Sequence, residues 1–91
     1  MCRNIRVLHN FEPPSTAFEM RAAALQYVRK VSGIAKPTAA TEAAFQQALE
    51  EIAAATERLI TALPPRLPHR TREGEREKAK IKWTKRVSAV R

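Results

Sequence analysis

Between residues 17 and 63, apolar positions recur with the spacing of two amphipathic helices. The first is predicted over about residues 17–32, in the stretch "STAFEMRAAALQYVRKVSG". Thr16 and Glu19 have the spacing of a capping box, and Gly33 suits the left-handed position that ends many helices. Apolar and small residues recur there at three- and four-residue steps, which predicts one shared face. The residues of this face are Phe18, Ala22, Leu25, Val28 and Ser32.

The second helix is predicted over about residues 41–63, in "TEAAFQQALEEIAAATERLITAL". We expect Thr38 or Thr41 to cap it, and Pro64 with Pro65 to end it. Because the connection between the helices is short, they should pack antiparallel as a hairpin. The stripe along the second helix comprises Phe45, Ala48, Leu49, Ile52, Ala55, Thr56, Leu59, Ile60 and Leu63.

The amino-terminal stretch "NIRVLHNF" has two readings. Ile5, Leu8 and Phe11 fit one helical face, whereas Ile5 and Val7 on either side of Arg6 fit a strand. A strand would lack a partner in this chain, so we favour a short helix or turn that crosses the hairpin and caps it.

A third, basic helix is predicted over about residues 72–89, with a sparse apolar stripe of Ala79, Trp83, Val87 and Val90. The stripe leaves open whether the helix docks through Trp83 or stays mobile until a partner arrives. Only 5% of the residues are aromatic and 44% are hydrophobic, many of them alanine, so the fold should be all-α. We divide the chain into a hairpin domain, 1–65, and a basic linker and helix, 66–91.

Several functional classes are excluded by composition. With glycine only at Gly33 and Gly74, the chain has no glycine-rich phosphate loop. Cys2 is the single cysteine, and with His9 and His69 it falls short of a zinc set, so we expect no metal, cofactor or disulfide. No apolar run can span a bilayer, and no signal peptide is recognisable. We therefore expect a cytoplasmic protein that is not an enzyme.

Five stretches, "MCRNIR", "NFEPPST", "AAALQYVRKVSG", "KPT" and "EAAF", together resemble a family of small, mostly bacterial proteins described as a domain of unknown function. The resemblance covers about the first 63 residues, with a looser match in the charged tail. It implies that the opening motif and the hairpin form one unit, and it implies no activity, substrate or cofactor. Thr38 and Thr41 depart from the serine and asparagine expected in relatives, which affects only helix capping.

Positive charge is concentrated at the carboxyl end. The formal net charge is +8, and residues 66–91 hold ten Lys and Arg against three Glu. Such a segment can neutralise phosphates, and Trp83 could stack on an unpaired base. The competing reading is a solvated helix whose charges pair locally. The predicted nucleic-acid-binding residues are Arg66, Arg70, Arg72, Arg76, Lys78, Lys80, Lys82, Trp83, Lys85 and Arg86.

Two smaller features concern the amino terminus. Cys2 lies near Arg3 and Arg6, which would favour a reactive thiolate, although a structural cysteine is the commoner case. An anion site could form if the amino-terminal segment crosses the end of the first helix, although cations in a last helical turn are expected in any case. The residues of this predicted anion site are Arg3, Arg6, Arg29, Lys30 and Lys36.

The sequence favours a nucleic-acid-associated accessory protein that binds phosphates largely independently of base sequence. The alternative is a protein–protein adaptor built on the hairpin, whose tail guides an acidic protein partner, and the least favoured alternative is an enzyme that uses Cys2. Either a homodimer or the third helix could cover the stripe of the second helix.

Overall fold

The computed structural model describes residues 3–89, which form three α-helices. They are α1 at Ala17–Ser32, α2 at Glu42–Ala62 and α3 at Arg72–Ala89. In this part of the chain the only β-type pairing is an isolated bridge between Phe11 and Arg70. The all-α prediction is confirmed, and each helix begins and ends within one residue of its expected bounds. None of the three helices, as described, is long and apolar enough to cross a membrane.

Helix α1 has the predicted signals at both ends. The Thr16 hydroxyl accepts a hydrogen bond from the Glu19 amide at 3.2 Å, and the Glu19 carboxylate accepts one from the Thr16 amide at 2.8 Å. This reciprocal pair is the capping box. At the other end Gly33 has φ 75°, and its N–H donates to the Arg29 carbonyl. The left-handed glycine thus turns the chain out of the helix.

Replacing Gly33 with alanine should lower the free energy of unfolding by about 1–2 kcal/mol. Nothing lies within 4 Å of a Cβ built at Gly33, so the cost comes from the positive φ rather than from a clash. Urea denaturation measures it. Asparagine tolerates this backbone region better, so Gly33→Asn should cost less. Equal losses for the two variants would show that backbone conformation is not the cause.

Helix α2 begins without the predicted side-chain cap. Thr41 occupies the N-cap position, but its hydroxyl accepts from the Thr38 amide at 2.9 Å and makes no cap hydrogen bond. The amides of Thr41 and of Glu42, the first residue of the helix, are satisfied by backbone instead, because the Thr38 carbonyl accepts from both. The expectation of a threonine side-chain cap was therefore wrong, since these threonines stabilise the preceding turn.

The buried face of α1 shares Val28 with the predicted face but is otherwise shifted around the helix. Phe18 is 81% exposed, so its place in the predicted buried face was wrong. The buried residues of α1 lie at four-residue steps that begin two positions later. Apolar residues occur on two overlapping faces of this helix, and packing against α2 selects the second. The core of the described chain consists of Leu8, Phe11, Met20, Ala24, Val28, Phe45 and Leu49.

The predicted stripe on α2 is well covered only in its first half. Phe45 and Leu49 are buried, whereas Leu59 is 57% and Leu63 39% exposed. Helix α2 has 21 residues against 16 in α1, so its last turns extend beyond the helix beside it.

The amino-terminal segment crosses α1 as a series of bends, so the turn alternative is confirmed and a short helix is not formed. Its amides at Asn4 and Ile5 donate to the Gln26 side chain at 2.8 and 3.1 Å. Further along, Leu8 and Phe11 are buried. The segment therefore covers part of the hairpin, as expected of a cap.

The segment before α3 pairs with the end of the amino-terminal segment, for which the sequence analysis expected no strand partner. The Arg70 N–H donates to the Asn10 carbonyl at 2.7 Å, and the Glu12 N–H donates to the Arg70 carbonyl at 2.8 Å. Beyond its first turn, the described part of α3 packs against neither α1 nor α2, and Trp83 is 62% exposed. Docking of α3 through Trp83 was thus a wrong alternative.

Candidate functional site

Helix α3 starts at a tight threonine cap. The Thr71 hydroxyl accepts from the Gly74 amide at 2.9 Å, and the Thr71 carbonyl accepts from the Glu75 amide at 2.9 Å. A Cβ at position 74 would lie only 2.8 Å from that hydroxyl, so glycine lets the cap close. The helix therefore leaves the body of the protein from a defined first turn.

Arg72, at the first position of α3, is bound to the start of α1. Its guanidinium donates to the Glu19 carboxylate at 2.7 Å, and to the carbonyls of Pro13 and Pro14 at 2.8 and 3.2 Å. It also lies over the Phe11 ring, with 5.3 Å from its central carbon to the ring centroid. These contacts anchor α3 to the amino-terminal segment and to the start of α1.

Glu19 is the acceptor on which these contacts converge. It binds Arg72, closes the capping box with Thr16, and accepts from Arg6 at 3.2 Å. The hydrogen bond from Arg72, followed by that from the Thr16 backbone, lowers the pKa of Glu19 to about 2 against a partial opposing effect of burial. The same pair raises the pKa of Arg72. This carboxylate is therefore ionised at neutral pH and holds three segments together.

Arg70 is likewise engaged within the chain. Its guanidinium donates to the His9 carbonyl at 2.9 Å and lies 3.7 Å from the Glu75 carboxylate. Lys78 pairs with the same carboxylate at 3.2 Å. Arg70 and Lys78, together with Arg66 and Asn10, line a pocket of about 310 Å³. The predicted phosphate-binding residues Arg66, Arg70 and Lys78 do meet here, but beside a neutralising glutamate.

The remaining predicted nucleic-acid residues are exposed on the body of α3. Helical spacing arranges them in two adjacent rows, because positions three and four apart share a face. Between Arg76 and Val87 only Glu77 carries negative charge. The first row contains Arg76, Lys80, Trp83 and Arg86, and the second contains Lys78, Lys82 and Lys85.

The predicted anion cluster is only partly assembled. Arg3, Arg29 and Lys30 line one pocket of about 340 Å³, whereas Lys36 does not line it. Arg6 is at the other end of α1, bound to Glu19. The fold thus brings three of the five predicted cations to one pocket.

Cys2, the predicted reactive thiol, lies outside the described residues 3–89. Among residues 3–89 no group of three or more His, Cys, Asp and Glu is placed to hold a metal ion.

Three residues that position these sites were not singled out from the sequence in these roles. Gln26 holds the amino-terminal segment, and Asn10, at φ 68°, accepts from the Arg66 amide at 2.9 Å. Arg72 was assigned to phosphate binding but anchors α3. A positive φ is commoner for asparagine than for most residues, which was the one local signal. The contacts of Gln26 and Arg72 join distant parts of the chain and leave no local pattern in the sequence.

The chain matches a known protein family over most of its length. The model of a family described as an uncharacterized conserved protein, DUF2277, matches residues 1–78. This agrees with the resemblance in the sequence and extends it into the first turns of α3. Neither curated proteins nor solved structures gave a match.

Proposed function

Because this chain belongs to DUF2277, a family of uncharacterised conserved proteins, we propose its function from geometry: binding of nucleic acid through the exposed body of α3. The single observation that carries the proposal is a cationic helix surface around an exposed tryptophan. Trp83 is 62% exposed, with Lys80 and Arg86 three positions away on either side. A phosphate backbone would contact the cations, and an unpaired base would stack on the indole.

The internal contacts narrow the interface relative to the sequence prediction. Arg72 and Arg70 donate to carbonyls and carboxylates of this chain, so they support the helix rather than a ligand. The phosphate contacts then fall to the residues beyond the first turn of α3. They are Arg76, Lys80, Lys82, Lys85 and Arg86, because Lys78 pairs with Glu75 at 3.2 Å.

The preferred ligand is single-stranded, because stacking on Trp83 requires an unpaired base. A sequence-independent interface suits these residues, since lysine and arginine side chains on an exposed helix surface contact phosphates, which carry no sequence information. Affinity should therefore depend steeply on salt and weakly on base sequence.

Fluorescence-anisotropy titrations of single-stranded RNA, single-stranded DNA and duplex DNA test the proposal on the full chain. Lys80→Gln with Arg86→Gln should weaken single-strand binding about tenfold and lower the slope of log K against log salt by about 1.4. The matched control is Lys36→Gln with Arg58→Gln, which removes the same two residue types from the hairpin. Equal weakening of single-strand binding by the two double variants, or no weakening by either of them, would contradict an interface on α3.

Trp83 provides a second readout, because it is the only tryptophan. Stacking should change its fluorescence on addition of single strands and leave it nearly unchanged with duplex. Trp83→Ala should weaken single-strand binding about tenfold, within the 1–3 kcal/mol range of base stacking. No fluorescence change at saturating RNA would remove the tryptophan from the interface.

A second candidate function is a protein–protein adaptor, which includes self-association. Its specific support is the apolar surface that α2 leaves uncovered, where Leu59 is 57% exposed. Pull-downs after nuclease treatment, together with sedimentation equilibrium, distinguish it from nucleic-acid binding. A partner or dimer lost in Leu59→Ser, with RNA affinity unchanged, would favour the adaptor.

A further inference from the structure

The pocket between the amino-terminal segment and the last turns of α1 is separate from α3. Its lining combines three cations, Arg3, Arg29 and Lys30, with a floor that includes Ala22 and Leu25. At about 340 Å³ it lies at the small end of ligand-pocket sizes. Its dimensions therefore suit a small organic molecule.

Two different structural causes bring these cations together. Arg29 and Lys30 stand in the last turn of α1, where the helix dipole favours positive charge. Arg3 belongs to no helix and is brought there by the chain that follows it. The Gln26 side-chain oxygen accepts from the amides of both Asn4 and Ile5. The dipole accounts for two of the cations but not for the third.

The charge of the pocket is not balanced from within the described chain. Among residues 3–89 no carboxylate lies within ion-pair distance of Arg3, Arg29 or Lys30. This differs from the pocket at Arg70, where Glu75 approaches both Arg70 and Lys78. Three like charges repel one another, and an anion bound between them would relieve that repulsion.

We propose that this pocket binds a phosphomonoester. A phosphate dianion matches three cations better than a carboxylate, which carries one charge and two acceptor atoms. Two arginines can each offer paired N–H donors to phosphate oxygens. The apolar floor would contact the organic group of the ester. The phosphate can belong to a small molecule or to the 5′ end of a nucleic-acid strand, which present the same chemistry.

Nuclear magnetic resonance titration of the full ¹⁵N-labelled chain with phenyl phosphate tests this proposal. We expect saturable shifts at the Asn4, Ile5 and Arg29 amides and at the Gln26 side-chain amide, with much weaker binding of benzoate. Inorganic phosphate, which lacks the organic group, should bind more weakly than phenyl phosphate. Shifts confined to α3, or equal affinity for benzoate, would overturn the proposal.

Matched substitutions separate a pocket from general attraction to a protein of net charge +8. Arg29→Gln should weaken phenyl phosphate binding at least tenfold, and Arg58→Gln, the same change on the exposed side of α2, less than twofold. Arg3→Gln, which lies outside any helix, should repeat the loss if Arg29→Gln perturbs the fold. Equal effects of Arg29→Gln and Arg58→Gln would contradict the proposal.

Gln26→Leu tests the positioning of Arg3. It removes the oxygen that accepts from Asn4 and Ile5 while leaving all three cations in the chain. We expect weaker phenyl phosphate binding and unchanged resonances on α2. Unchanged affinity would contradict the role of Gln26.

Two further titrations distinguish the sources of the phosphate. A trinucleotide with a 5′-phosphate that binds at these resonances, while its 5′-hydroxyl counterpart does not, would identify a strand end. Binding of phenyl phosphate without that difference would identify a small molecule. Neither result depends on the α3 variants, so the pocket and the α3 interface can fail independently.

Discussion

Replacing Phe11 with alanine is expected to lower the free energy of unfolding by about 3–5 kcal/mol, the usual cost of truncating a buried phenylalanine. Phe11 is 7% exposed, and its ring lies beneath the Arg72 guanidinium. The substitution therefore leaves a cavity in the cap and removes the surface on which α3 is anchored. For a small domain this is a large part of a total stability of about 5–15 kcal/mol.

Phe18→Ala is the matched control for this prediction. It is the same chemical change in a side chain that is 81% exposed, so it should alter stability by less than about 0.5 kcal/mol. Urea denaturation at pH 7, followed by helical circular dichroism, measures both. Similar losses for the two variants would show that the amino-terminal segment does not contribute to the core.

Substituting Glu19 with glutamine should cost about 2–3 kcal/mol at pH 7, because charge-assisted hydrogen bonds are lost and Arg72 and Arg6 keep their positive charge. The same contacts predict acid sensitivity. The pKa of Glu19 is lowered from 4.5 to about 2 in the folded chain. The stabilisation is therefore complete above about pH 4.5 and is lost as the pH falls toward 2.

Glu50 supplies the control for the acid sensitivity. Hydrogen bonds, first from Arg21 and then from Gln46, lower the pKa of Glu50 to about 2 as well, but its side chain is 54% exposed against 15% for Glu19. An exposed pair is screened by water and contributes little to stability. Urea denaturation between pH 2 and pH 7 should thus give a flatter profile for Glu19→Gln than for Glu50→Gln. The reverse order would contradict the central role of Glu19.

The helices were predictable because their signals are local. The Thr16 capping box, the glycine at position 33 and the prolines after α2 act on neighbouring residues, and both ends of α1 and the end of α2 follow from them. The buried face of α1 was not predictable in the same way. Phe18 and Met20 each begin a helical stripe, and only the position of α2 decides which stripe is buried.

The candidate sites show the same limit. Composition places positive charge on α3, but the partners of that charge come from distant parts of the chain. Arg72 and Glu19 are 53 positions apart, so the charge pattern alone assigned Arg72 to a ligand rather than to an anchor. In the anion cluster, Arg29 and Lys30 are adjacent in sequence, whereas the approach of Arg3 depends on the Gln26 side chain.

The attachment of α3 by its first turn separates the stability of the hairpin core from the charge of the helix surface. These two properties are usually difficult to vary independently. An 18-residue helix is about 27 Å long, and Arg86 stands about 21 Å along it from Arg72. Only the first turn of α3 is bound to the amino-terminal segment and to the start of α1. The described far end of the helix therefore contributes almost nothing to the core. Under the proposed function, nucleic-acid affinity should therefore respond to substitution at Lys80 to Arg86 without a compensating change in the hairpin, and variants of the core should leave the proposed α3 interface unaltered.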